Sequence, residues 1–238
     1  MNEPELRVAV PVPTGAPPMG DAAADTPIFS LSGPVWRAPA GESVRLACAG
    51  QGVVFLLVGN RLLRYSLATG ESVTLELCRA AGTPSGLFAD PHSSICLIVA
   101  HASGDNVFVH RARSRLLGKA KNLVITAVAW LPPVAARPDT RDVLLGTSSG
   151  TIYDASIEPS RTTRYRQVYA LTPSAPIVGL QADHVNLAGS AHAAEGRRLF
   201  VLVATPTRYY EFVGAASADA LFAEYRDLAQ LGYVEVSS

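Results

Sequence analysis

Gly146-Thr147-Ser148-Ser149-Gly150 has the most familiar chemical spacing in this chain. It matches G-x-S-x-G, in which a serine on a strained bend between a strand and a helix faces an oxyanion hole. Such a nucleophile needs a helix next in sequence. Thr151 to Ile157 instead alternates with period two, Ile152 and Asp154 on one parity, Tyr153 and Ala155 on the other. The five residues therefore read as a hairpin turn, against a serine hydrolase built on Ser148. His92, His101 and His110 recur every nine residues, but each falls at a different place in one repeat. His184 and His192 fall in a loop. No H-E-x-x-H or other paired metal spacing is present, and no Gly-rich turn carries the G-K-S/T of a phosphate loop. Cys48, Cys78 and Cys96 are odd in number and widely spaced, which fits neither a disulfide framework nor a zinc motif. They read as reduced thiols buried in strands. The expectation is a chain that is not an enzyme, with no catalytic residue, cofactor, metal or small-molecule substrate.

One cluster remains. Arg111, Arg113, Arg115, Lys119 and Lys121 place five cations within eleven residues, the most basic stretch of the chain. Its plain reading is a solvated outer strand and loop. Its sharper reading is a contact for anionic lipid or an acidic partner, since a cation at such a membrane surface contributes about 1 kcal/mol. The formal net charge is zero, which argues against a general nucleic-acid binder. No run of 18 apolar residues exists, so no membrane-spanning helix is expected. The N-terminus, MNEPELRVAV, has acids where a signal peptide carries a basic start, and an intracellular, cytoplasmic protein is expected.

These residues must be positioned by strands. Val143, Leu144 and Leu145 form a short apolar run that suits a strand buried on both faces. The pattern of apolar run, short polar turn and alternating strand recurs at Val53–Leu67, Ile95–Arg111 and Leu199–Gly214. Gly59, Ala100, Gly146 and Ala204 take the matching small position. Their spacings of about 41, 46 and 58 residues are in or slightly above the range of propeller blades. The fold class is therefore all-β: a β-propeller, partial, of about four blades. Four units lie at the lower edge of what closes into a ring, so the chain is either a small closed propeller or the first part of a larger one.

Along the chain, residues 1 to about 25 are rich in Pro, Ala and Gly and read as a disordered tail. Residues 26–238 form the propeller region. Within it, Val44–Ala49, Gly86–Asp90, Val124–Trp130 and Ile177–Leu180 open the four blades. Val73–Leu77 and Tyr165–Leu171 are outer strands. His184 to Arg197 reads as an insertion. Ala218, Leu221, Phe222 and Tyr225 follow the i, i+3, i+4, i+7 stripe of a short helix over 218–228, between blades. Gly232 to Ser238 begins a further strand.

Several stretches, in this order, resemble the deep orange family of vacuolar protein sorting subunits (subunit eighteen) in its N-terminal propeller. They are Pro27-Ile28-Phe29, Leu62 to Leu67, Leu87-Phe88-Ala89-Asp90, Ser94 to Ala100, Ala127-Val128-Ala129-Trp130, Leu144 to Tyr153, Tyr165 to Leu171, Ala204 to Arg208, Tyr210 to Gly214 and Leu221-Phe222-Ala223. The resemblance covers about residues 26 to 236. It implies a non-catalytic subunit of a class C membrane-tethering complex of the HOPS or CORVET type, acting in vesicle docking and fusion and in sorting to the vacuole or lysosome. The implied partners are other class C subunits and, through the complex, SNARE proteins and small GTPases. The implied location is peripheral, on late endosome and vacuole or lysosome membranes. Family members continue into a helical solenoid and a RING-type zinc domain that this sequence does not contain. Neither zinc nor ligase activity is carried over, and a fragment or the front of a longer subunit is expected. An unrelated propeller scaffold, binding peptides or RNA through its loops, is the alternative.

Overall fold

Runs of Val, Leu and Ile form the second strand of each of four sheets, burying both faces in the first three. The computed structural model describes residues 36–186, 197–226, 228 and 231–236, with strand backbone at 5–6, 9–11 and 29–31. Two short pairs come first. β1 (Glu5–Leu6) pairs with β4 (Trp36–Arg37), and β2 (Ala9–Pro11) with β3 (Phe29–Leu31). The tail expected over residues 1–25 lies otherwise outside the described residues, as does His192.

Four antiparallel four-stranded sheets follow in chain order. Blade 1 is β5 (Val44–Gly50), β6 (Val53–Val58), β7 (Arg61–Ser66) and β8 (Ser72–Leu75). Blade 2 is β9 (Pro84–Ala89), β10 (Cys96–His101), β11 (Val107–His110) and β12 (Arg113–Leu116), followed by a 3-10 turn at Gly118–Ala120. Blade 3 is β13 (Ile125–Trp130), β14 (Arg141–Thr147), β15 (Thr151–Ile157) and β16 (Thr162–Ala170). Blade 4 is β17 (Gly179–Asn186), β18 (Arg197–Ala204), β19 (Arg208–Gly214) and β20 (Val234–Glu235), with helix α1 (Ala218–Arg226) between its last two strands. The partial β-propeller and the helix stand as expected, but the helix lies within blade 4 rather than between blades. The further strand expected at the end is β20, which pairs with β19 and completes the fourth blade.

Alternation explains how the blades stack. Within β10, Cys96, Ile98 and Ala100 face blade 3, while Leu97 and Val99 face blade 1. Within β14, Val143 and Leu145 face blade 2 and Leu144 faces blade 4. Each Val, Leu or Ile among them, fully buried, contributes about 1.5–3 kcal/mol. The outer face of blade 1 packs against Trp36 and Ala38 of its lead-in. On blade 4, Leu199, Val201 and Val203 are buried toward blade 3, whereas Phe200 and Leu202 on the other face are only half-buried. Among the described residues the four sheets thus run in series.

Two local expectations change. The four small positions are not equivalent: Gly59 lies in the turn with φ of 56°, while Ala100, Gly146 and Ala204 lie within strands. The stretch from His184 is not wholly an insertion. β17 runs to Asn186, which pairs with Arg197; residues 187–196 lie outside the described ones.

Candidate interaction surface

The basic stretch is the outer edge of blade 2. Arg113 pairs with His110, so β12 is the last strand of its sheet. Its side chains alternate between the two neighbouring blades. The Ser114 hydroxyl donates to the Glu76 carbonyl at 2.9 Å and accepts from the Cys78 N–H at 2.6 Å, both at the end of blade 1. Arg115 points the other way. Its guanidinium donates to the carbonyls of Glu158 (2.8 Å) and Pro159 (3.1 Å), beyond β15 in blade 3, and sits 5.6 Å from the Phe108 ring centroid. Burial lowers the Arg115 pKa from its ordinary value, partly opposed by Glu158, and its donors are engaged within the protein. It is an inter-blade clamp.

The other four cations are exposed. Arg111 occupies the β11–β12 turn with φ of 58°, a left-handed conformation uncommon outside glycine. Lys119 and Lys121 flank the buried Ala120 beyond the far end of β12. A four-residue strand is about 13 Å long, so the structure brings Arg111 and Arg113 together at one end and the two lysines at the other. They form a charged rim. His110 beside them has its pKa lowered, first by burial and then by Arg111.

The remaining chemical candidates have structural places. Ser148 lies between β14 and β15, whose antiparallel register makes the segment a hairpin. Thr147 accepts from the Thr151 N–H and donates to its carbonyl, both at 3.0 Å, tightening that turn. His92 lies in the turn after Asp90, His101 ends β10 and His110 ends β11. Cys96 is buried, and Cys48 and Cys78 are half-buried. Cys78 lies beyond β8 rather than in a strand. Burial pushes the Cys48 thiol up to about 12. Among the described residues, no group of three His, Cys, Asp or Glu is placed to hold a metal ion, and no helix is long and apolar enough to cross a membrane.

Two features escape sequence spacing. Asp90 directly follows blade 2's first strand and is fully buried; Arg141 opens β14 of blade 3 and bonds it at 2.7 Å. A cavity of about 690 Å³ is lined from β16, β19, the end of α1, and Leu228, Leu231 and Tyr233. Its residues come from four places in the chain, so no local pattern announces them.

This architecture has a match in sequence. The family model described as the Pep3/Vps18/deep orange β-propeller domain matches residues 27–232. The chain belongs to that family. Among its relatives, Vacuolar sorting protein 18 of Arabidopsis thaliana is 25% identical over 197 residues, 77% of this chain and 19% of that protein. The Vacuolar protein sorting-associated protein 18 homolog of Drosophila melanogaster is 29% identical over 234 residues, 83% of this chain and 23% of that one. The chain therefore spans about a fifth of the length of these curated relatives. Solved structures superpose more loosely. Hsv2p of Kluyveromyces lactis, for example, aligns at 12% identity and a TM-score of 0.40, over 83% of this chain and 56% of that one.

Proposed function

We propose that this chain is the propeller part of a non-catalytic class C vacuolar sorting subunit, within a HOPS- or CORVET-type tethering complex. It acts in vesicle docking and fusion, peripherally on late endosome and vacuole or lysosome membranes. Its partners are the other class C subunits and, through them, SNARE proteins and small GTPases. The observation that supports this reading most is the family match across residues 27–232, joined by relatives named for vacuolar sorting. The all-β scaffold also fits a docking role, because its stacked blades present broad rims and loops.

Within that role, the exposed cations Arg111, Arg113, Lys119 and Lys121 serve as the membrane- or partner-facing rim of blade 2. Arg115 holds the rim's strand in place. Two measurements test the proposal together. Affinity capture of the protein from its own cells should recover other class C subunits. Flotation with phosphatidylserine vesicles should show binding that falls at least tenfold when the four exposed cations become Glu. Capture free of class C subunits, with vacuolar cargo sorted normally after deletion, would overturn the tethering role. Unchanged flotation would remove the rim from it.

A further inference from the structure

The outer rim between blades 3 and 4 is concave, aromatic and cationic. Its 690 Å³ cavity falls within the size range of ligand pockets, about 300–1,000 Å³. The floor is rigid. The Tyr169 ring stacks on Phe222 at 5.4 Å and meets Phe212 edge-on at 5.1 Å. Tyr210 is buried, and Tyr233 tilts against it at 6.0 Å. Two guanidiniums share this lining. Arg208 lies 4.0 Å from the Tyr233 ring centroid. Arg226, at the end of α1, donates to the Val168 carbonyl of β16 at 3.3 Å. Each guanidinium carries five N–H donors in a fixed fork that matches a carboxylate. No Asp or Glu stands among the described residues lining the cavity.

Shape narrows the partner. Among the described residues β16 is the outermost strand of its sheet, so one wall of the groove is extended backbone at a sheet edge. Tyr and Arg are the residue types enriched where proteins meet proteins. A lipid surface instead calls for several protruding cations, and this site is recessed, with two.

We propose that this groove binds a short extended peptide of a partner protein. An aromatic or aliphatic side chain sits against Tyr169, Leu231 and Tyr233, and a neighbouring carboxylate is held by Arg208 and Arg226. This binding does not depend on the tethering role.

A phage-displayed library of random twelve-residue peptides, selected on the purified chain, tests it. Enriched sequences should place Asp or Glu beside Phe, Tyr, Trp or Leu. Their synthetic forms, followed by fluorescence polarisation, should lose at least tenfold in affinity for an Arg208→Glu, Arg226→Glu variant with an unchanged melting temperature. Should that variant fail to fold, Arg208→Gln and Tyr233→Ala each supply the same comparison, and hydrogen exchange on the native chain should show β16 and β19 slowed by the peptide. Enriched peptides without acidic residues, or equal affinity for the variants, overturn the proposal. So does binding to phosphatidylserine vesicles that these same substitutions abolish, which would make the groove a lipid site.

Discussion

Asp90 and Arg141 show how single residues hold blades together. The Asp90 side chain is 1% exposed and that of Arg141 is 10%. Their 2.7 Å contact joins the end of β9 to the start of β14. Neither group relies on the pair alone. Asp90 also accepts the His92 N–H at 2.8 Å, and Arg141 donates to the carbonyls of Pro138 and Thr140. Charges taken out of water in this way roughly break even when every lone pair and proton is satisfied, but removing one partner strands the other. Asp90→Ala should therefore cost about 3–5 kcal/mol in urea unfolding. Asp90→Asn keeps the turn's acceptor and should cost less. A loss below about 1 kcal/mol for Asp90→Ala would mean that water replaces the carboxylate and that apolar burial alone holds this joint.

At the scale of the element, Gly146 decides how closely β14 approaches blade 4. An added Cβ would lie 2.7 Å from Ile177 Cγ2 and 3.1 Å from Ile177 Cβ. Ile177 is fully buried just ahead of β17, so it has little room to give. Gly146→Ala should lose about 1–3 kcal/mol by overpacking. Ile177→Ala should lose stability alone yet recover part of the loss in the double variant, a coupling that thermal or urea melts can read. Strictly additive losses would show that the strand shifts rather than clashes. The sequence marked Gly146 as the repeat's small residue; close packing explains it, whereas Gly59 answers to a turn. This difference separates what was legible from what was not. The hairpins were legible because a strand buried on both faces must be an uninterrupted apolar run, as Ile95 to Ala100 and Val143 to Leu145 are. α1 was legible because Ala218, Leu221 and Phe222 are its buried residues. Arg115 was misleading, because its charge reads as solvent-facing while its partners lie more than forty residues away. The groove was illegible, since Tyr169, Arg208, Arg226 and Tyr233 meet only after two blades and a helix have packed.

For the whole molecule, stability follows from sheets stacked in series, each stabilised chiefly by its neighbours. Blades 2 and 3 have a blade on either side, and their strands β10 and β14 are buried on both faces. Blade 1 has blade 2 on one side and Trp36 and Ala38 on the other. Blade 4 rests on blade 3 and α1 through one face, while Val178, Val185, Tyr209 and Val234 on or beside its sheet are exposed. Its last strand contributes two residue pairs. Among the described residues, opening blade 4 therefore breaks one interface with a neighbouring blade, whereas opening blade 2 or 3 breaks two. Native-state hydrogen exchange at low denaturant should show β18 and β19 opening together at a lower free energy than β10 and β14, as a separate cooperative unit. The amides of β20 should exchange earlier still. Peptide seated in the groove beside β16 and β19 would bridge blades 3 and 4 and raise the opening energy of the fourth blade selectively, since a ligand stabilises the state that binds it. One opening free energy shared by β10 and β18 would mean that the sheets unfold as a single block, and the serial account of this propeller would fail.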